Sequence, residues 1–342
     1  MQNIKKLFVL VGTYCNCNCI GCPVANGNKN PLLRFRSTKD ILSDILKGKQ
    51  AGFERLELGG GEPTIRKDFF QLLKYAKKIG FKKITLTTNG RMLSYPDFVR
   101  KMVKCGVIGV NISLHGSNYK LHENYTQIPN SFDQCVKGIK NVIQYKELDV
   151  DISTVVYSDN YKDILALANF LIKLKIKGWN ILNLIPGGMA KKNYTQLSVK
   201  LSKLLNLNNL IPKLSSFKSI RFIDFSLCIF KKQFFNKSNV KFSNSLDMVR
   251  DNKITTYYNP VFLYDLYDTF QDPTWFSTKE YKKFFNNYAK SKLFIGACKK
   301  CKFQNECKGV WLDYLNLYGV NSTNQELSNL LKLQSVAIGD YL

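Results

Sequence analysis

The chain has 342 residues, with 51 Lys and Arg against 25 Asp and Glu, a formal charge of +26, and 45% apolar and 13% aromatic residues. Such length and apolar content exclude a disordered chain and a disulfide-stapled miniprotein, and suit one large α/β domain with a smaller appendage. No stretch approaches the roughly 20 unbroken apolar residues of a membrane-spanning helix, so no membrane association is expected.

At the N-terminus, Lys5-Lys6 followed by Leu7-Phe8-Val9-Leu10-Val11 imitates an export signal. The apolar run is shorter than the ~7–15 residues of a signal core, and bulky Tyr14 stands where cleavage wants a small residue. The run therefore reads as a buried first strand and the protein as cytoplasmic. Further strand-like runs follow at Arg55–Leu58, Lys83–Thr87, Val107–Leu114, Val150–Val156 and Trp179–Ile185. Helix-like stretches alternate with them at Lys39–Lys49, Asp68–Ile79, Tyr95–Cys105, Phe132–Tyr145, Tyr161–Ile176 and Gln196–Leu210, with Ser37 or Thr38 as the first N-cap. A βα unit every ~30 residues predicts a parallel sheet with right-handed crossovers. Six units are too few for a closed eightfold barrel. The expected fold class is α/β, a partial (β/α)6 TIM-like barrel over residues 1–215.

Polar and Gly-rich motifs stand just after these strands, at Thr13–Cys22, Gly59–Thr64, Thr88–Gly90, His115–Gly116 and Pro186–Gly188. Parallel α/β folds build active sites on that edge. Beyond residue 215 the pattern changes to short strands at Arg221–Phe225, Ile254–Tyr258 and Val261–Tyr264, with an Asn259-Pro260 turn. The cysteine-rich Cys298–Cys307, aromatic Trp311–Tyr318 and a final helix from Asn324 complete a small α+β domain over residues 216–342.

Seven of the ten cysteines fall in two groups, 15–22 and 298–307, a clustering that in a reducing compartment favours metal over disulfides. Cys105 and Cys135 read as buried small hydrophobes. Only eight of the 51 basic residues are Arg, and the lysines are dispersed. The charge is thus read first as a solvated surface, with a polyanion or acidic-peptide partner as the alternative.

Cys15-x3-Cys19-x2-Cys22 can ligate three irons of a cubane cluster and leave the fourth open. With Gly59-Gly60-Gly61-Glu62-Pro63, Thr87-Thr88-Asn89-Gly90 and Ser113-Leu114-His115-Gly116 following in order, the sequence resembles the radical S-adenosylmethionine (SAM) superfamily. Two details depart from that pattern. Gly21 stands where an aromatic residue usually precedes the last cysteine, and Cys17 is an extra thiol. The resemblance implies a [4Fe–4S] cluster on Cys15, Cys19 and Cys22, with SAM contacted by Gly60, Gly61, Glu62, Pro63, Asn89, Ser113, Asn160 and Ile185. His115 and His122, the only histidines, are read as structural.

Cys298-x2-Cys301-x5-Cys307 is similar to the auxiliary-cluster domains (SPASM and the shorter twitch form) of many radical SAM enzymes. Trp311 replaces a further SPASM cysteine, which favours the one-cluster form, with Cys228 as a fourth ligand. Four thiolates suit zinc as well as iron–sulfur, so both remain open.

The resemblance implies that a reduced cluster cleaves SAM to methionine and a 5′-deoxyadenosyl radical, which takes hydrogen from a peptide or small metabolite. The electron donor would be a flavodoxin or ferredoxin. Because the first strand begins almost at once, neither an N-terminal peptide-recognition domain nor a cobalamin domain is expected. The alternatives are an activase or maturase of a partner protein and, from another class, a zinc-bound nucleic-acid-binding protein.

Overall fold

The computed structural model describes residues 6–25, 36–243, 292–301, 303, 306–307 and 309–339. Eight parallel strands form one sheet in strictly sequential order: β1 (Lys6–Leu10), β2 (Arg55–Gly59), β3 (Lys83–Thr88), β4 (Val107–Ser113), β5 (Asp149–Val156), β6 (Gly178–Asn183), β7 (Ser219–Ile223) and β8 (Val240–Ser243). Sequential order with every neighbour parallel is the winding of an open α/β barrel. The α/β barrel-like class holds, and the sheet carries two more strands than the six βα units counted. Both added strands lie beyond residue 215 and continue the sheet.

Alternation places the strands between two environments. Leu7, Val9, Leu56, Leu58, Ile84, Leu86, Val110, Ile112, Ile152, Trp179, Ile181, Ile220 and Phe222 are buried against the helices. On the other face the register aligns Thr87, Asn111 and Asp151, and one step further Ser113, Ser153, Asn180 and Arg221. The concave side of the sheet is therefore polar.

The helices covering the outer face are α1 (Thr38–Gln50), α2 (Phe69–Lys78), α3 (Pro96–Lys104), α4 (Tyr119–Thr126), α5 (Ser131–Val142) and α6 (Ile164–Lys173). Ser37 is the N-cap of α1 and accepts from the Asp40 amide at 3.1 Å. The helix α4 was absent from the sequence reading, because its two turns lack an apolar stripe; Asn118 caps it, and Gln127, at φ 57°, ends it. The helix expected over Gln196–Leu210 is broken into Tyr194–Leu197, Leu201–Leu204 and a 3-10 run from Leu205. Its leucines keep their spacing and burial, while the Leu201 amide at the break donates to the Tyr314 hydroxyl at 2.9 Å.

After β6 comes the one-turn helix α7 (Gly188–Lys192). In the C-terminal segment β9 (Lys292–Leu293) pairs antiparallel with β10 (Val310–Trp311), followed by α8 (Leu312–Tyr318) and α9 (Val320–Gly339), the last starting four residues before the expected Asn324. Lys292 forms a buried ion pair with Asp224, just past β7, at 2.9 Å, and its ammonium sits 4.2 Å from the Trp311 ring centre. Trp311, in place of a further cysteine, thus packs this segment onto the sheet. The strands expected at Ile254–Tyr258 and Val261–Tyr264 and their turn lie outside the described residues. No helix among the described residues is long and apolar enough to cross a membrane.

Candidate active site and second thiol centre

The loop after β1 carries Cys15, Cys17, Cys19 and Cys22 and is held from every side. Arg36 donates to the Leu10 carbonyl and Arg66 to that of Val11, both at 2.8 Å. Arg66 also grips Asp68 through two nitrogens, at 2.8 and 2.7 Å. Planar guanidinium forks suit such carbonyl and carboxylate clamps better than ammonium groups do. Further along, Arg91 donates to the Asn16 carbonyl, and the Asn18 and Ile20 amides donate to Thr126 and Tyr125 carbonyls at 2.9 Å. At the far end Asn193 donates to the Ile20 carbonyl, and the Met189 amide in α7 to the Cys22 carbonyl, each at 2.9 Å.

The Gly-rich turn after β2 packs against this loop. Its Gly61 amide donates to Gly12 at 2.7 Å and the Glu62 amide to Tyr14 at 2.8 Å. A Cβ on Gly61 would fall 2.1 Å from the Tyr14 carbonyl oxygen, and one on Gly60, at φ 117°, 2.7 Å from that of Gly12. These glycines, which the resemblance implies contact SAM, allow here the close approach of the cysteine loop itself. Pro63 opens the 3-10 turn that follows.

Glu62 is buried, with one oxygen saturated and the other accepting a single hydrogen bond. One carboxylate oxygen accepts from the Thr64 amide at 3.1 Å and the Thr88 hydroxyl at 2.7 Å, the other from the Asn89 amide at 2.7 Å. Burial holds its pKa above the usual carboxylate range, with these hydrogen bonds pulling back. The Asn89 side chain reaches the loop, 2.7 Å from Asn16 Oδ1, 3.4 Å from Cys17 Sγ and 3.7 Å from Cys15 Sγ. The motifs after β1, β2 and β3 therefore converge at one carboxyl edge.

The thiols form a linked group. The Cys17 amide donates to Cys15 Sγ at 3.4 Å, and the Cys17 thiol interacts with both Cys15 and Cys19, so the extra Cys17 lies among the three motif cysteines. The bond to Cys17, then burial and the nearby Glu62, raise the Cys15 thiol. For Cys17 the bond from Cys15 lowers the value, but the bond to Cys19, burial and the Cys19 charge push it up to about 12. Burial pushes Cys22 up to about 11. Three soft donors on one buried loop suit a cationic iron–sulfur group, which takes thiols as thiolates. Among the described residues no three or more His, Cys, Asp and Glu already stand at ligating distance; the thiols converge without being closed.

The other expected positions divide. Ser113, at the end of β4, is half-buried, and its hydroxyl has no partner among the described residues; Ile185 is half-buried at the mouth of β6. Asn160 is different. Its amide donates to the carbonyls of His115 at 2.9 Å and Val155 at 2.8 Å, and its oxygen accepts from the Tyr157 amide at 2.8 Å. With every one of those groups committed and 1% exposure, Asn160 braces the β4 and β5 ends. His115 and His122 are likewise buried, each accepting from a backbone amide.

A second thiol centre lies in the C-terminal segment. Cys228, Cys298, Cys301 and Cys307 line one cavity together with Phe294 and Leu327. Burial raises the Cys228 thiol well above its ordinary value, and the charges of Cys307, Cys301 and Cys298 add to it. Cys228, about 70 residues away in sequence, is thus brought to the other three. Four thiols around an otherwise apolar cavity fit an iron–sulfur cluster or zinc.

Residues 9–171 match the family model described as Radical SAM superfamily. The chain carries a radical SAM domain. The chain is 28% identical over 193 residues to a probable GTP 3′,8-cyclase of Sulfurisphaera tokodaii, spanning 56% of this chain and 60% of that one. A Saccharolobus solfataricus protein of the same name is 26% identical over 218 residues, 64% of this chain and 68% of that one. The chain thus spans about three-fifths to two-thirds of the length of these relatives. In fold it is similar to Streptococcus suis SuiB bound to precursor peptide SuiA, with TM-score 0.61 and 18% identity over 94% of this chain and 75% of that one. It is similar also to anSMEcpe with bound AdoMet and Cp18Cys peptide, with TM-score 0.64 and 16% identity over 98% and 99%.

The sequence reading missed the residues that hold the loop: Arg36, Arg66, Arg91, Asn16 and Asn193. One signal was available. Arg is scarce in a Lys-rich chain, and three of its eight copies stand here.

Proposed function

We propose that Cys15, Cys19 and Cys22 hold a [4Fe–4S] cluster whose SAM chemistry acts on a peptide or small metabolite, and that Cys228 with the C-terminal Cys298, Cys301 and Cys307 holds an auxiliary cluster, the domain boundary expected at 215 falling later because β7 and β8 belong to the barrel sheet. The convergence of the cysteine loop with Glu62 and Asn89 at one sheet edge carries this reading. A bound, reduced cluster at these thiols would supply the electron that breaks the C5′–S bond of SAM, giving methionine and a 5′-deoxyadenosyl radical able to take hydrogen from the substrate. This chain's residues hold and orient. Glu62, anchored by Thr64, Thr88 and Asn89, presents a carboxylate for the SAM ammonium, with Gly60, Gly61 and Pro63 shaping its turn. Ser113 offers a hydroxyl and Ile185 an apolar surface, while Asn160 keeps the edge rigid.

The polar concave face suits a polar substrate. Asn111 accepts from Ser153 at 2.8 Å and from Asn180 at 3.4 Å, and Arg221 stands one register step from Asn180. The Arg221 guanidinium has no carboxylate within 4 Å among the described residues, and Asp151 is solvent-exposed. Opposite charges left apart can each take a complementary substrate group. The peptides in the SuiB and anSMEcpe structures support a peptide, and the GTP 3′,8-cyclase relatives support a nucleotide. A cytoplasmic flavodoxin or ferredoxin is the proposed electron donor.

Anaerobic reconstitution with iron and sulfide analysis tests the reading. About eight irons per chain support two cubanes, and about four leave the second centre to zinc. Reduced protein with SAM should yield 5′-deoxyadenosine, and Cys19→Ala should abolish it. Zinc without sulfide-bound iron would refute the cluster at Cys15, Cys19 and Cys22.

A further inference from the structure

Gly21 occupies the motif position that the family usually fills with an aromatic residue. Its φ lies outside the left-handed region, so the backbone there tolerates a side chain. Space does not. A Cβ on Gly21 would lie 2.6 Å from the Tyr125 hydroxyl oxygen, 2.8 Å from Cε2 and 3.0 Å from Cζ, and these are its three nearest atoms. With the Tyr125 ring in place, position 21 must be glycine.

Tyr125 comes from α4, far from the loop in sequence. It is 2% exposed, its ring centre lies 4.0 Å from that of His115 and 4.9 Å from that of Tyr157, and its carbonyl accepts from the Ile20 amide at 2.9 Å. The side chain is thus fixed to the cysteine loop by both ring and backbone. Its hydroxyl lies against Gly21, the residue before Cys22, and in the field of Cys19 and Cys22. A hydroxyl beside ligand thiols has a ready acceptor once they are thiolates.

We infer that Tyr125 takes, in space, the place of the aromatic residue missing at position 21, and that its hydroxyl donates a hydrogen bond to the sulfur-rich group held by the loop. This rests on the proposal that the loop holds a cluster. Tyr125 is a positioning residue. Its ring stiffens the loop, and its O–H stabilises the more negative, reduced state, since hydrogen bonds to cluster sulfurs tune the potential.

The experiment compares reconstituted wild-type protein with Tyr125→Phe, Gly21→Phe and the double variant Gly21→Phe/Tyr125→Ala. Iron content and apo-protein melting temperature are measured, with the midpoint potential of the EPR signal that changes on adding SAM. Tyr125→Phe should keep wild-type iron content and melting temperature but titrate at a more negative potential. Gly21→Phe, with two aromatic side chains in one space, should lose melting temperature and most of its iron. The double variant should regain both. A double variant no better than Gly21→Phe overturns the exchange of position, and a Tyr125→Phe potential equal to wild type overturns the hydrogen bond. Wild-type protein that takes up no iron and sulfide would refute the cluster reading instead; the four apo-protein melting temperatures would still decide the exchange.

Discussion

Acidification from pH 7 to pH 5 should weaken this fold through its two histidines. His115 Nδ1 accepts from the Val155 amide at 3.3 Å, and His122 Nδ1 from the His115 amide at 3.2 Å. A proton on either nitrogen would set donor against donor inside a buried cluster. Burial holds His122 down at about 4 against an ordinary 6.5, and burial with the neighbouring His122 holds His115 well below 6.5. The unfolded chain therefore takes up these protons first. Stability is full above pH 6.5 and is lost as pH falls toward the folded values. Crossing from 6.5 to 4 is worth about 3 kcal/mol for His122, of which about 2 kcal/mol is gone by pH 5. Glu62, held above the carboxylate range by burial, contributes with the opposite sign, so the wild-type slope mixes both. His122→Asn keeps an acceptor for the His115 amide and cannot titrate. Urea unfolding of the apo protein between pH 7.5 and 5 should show the wild type losing about 2 kcal/mol more than this variant. Equal losses in the two proteins would refute the assignment of His122 as a buried neutral group.

Arg66→Lys should cost about 1–3 kcal/mol by urea midpoint and lower iron uptake, because one ammonium cannot hold Val11, Arg36 and Asp68 together. Asn160→Ala should cost a similar ~1–3 kcal/mol by leaving buried backbone groups unpaired, while SAM affinity by calorimetry stays at the wild-type value. Weaker SAM binding with stability intact would return Asn160 to the cofactor. Cys228→Ala should empty the second centre, read as metal per chain, yet leave 5′-deoxyadenosine formation in place; undiminished metal would remove Cys228 from the ligand set.

The barrel was legible where period and punctuation agreed. Each of β1 to β6 overlaps a strand-like run seen in the sequence, because short alternating or apolar runs bounded by Gly-rich and polar motifs read as strands. The strand β8 was not legible: Val240–Ser243 is only four residues, two of them polar, and its place comes from pairing with β7. Within the site, the cysteines and Glu62 stood out because their spacing is chemical. Arg66, Asn16 and Asn193 act through chain-distant backbone carbonyls and amides, contacts that leave no local pattern. Tyr125 was hidden for the same reason. Gly21 looked like a departure in the motif, whereas the compensating ring lies 104 positions later in the numbering.

The placement of arginine also weighs on the basic charge. Nucleic-acid surfaces concentrate free Arg where phosphates and base edges can reach it. Arg36 and Arg66 here are each committed to a β1-end carbonyl and a carboxylate, Arg91 to Asn16 and Gln134, and Arg100 to Asp97. The remaining described guanidiniums, Arg55 and Arg221, lie in the sheet on β2 and β7. None is presented as part of an exposed Arg cluster. Among the described residues, lysines are what is left for polyanions, and they supply salt-sensitive attraction without base recognition. The same arginines, placed at the mouth and on the concave face of the sheet, fit holding a cluster loop and a substrate. Their distribution therefore favours the enzyme reading over the nucleic-acid one independently of any motif.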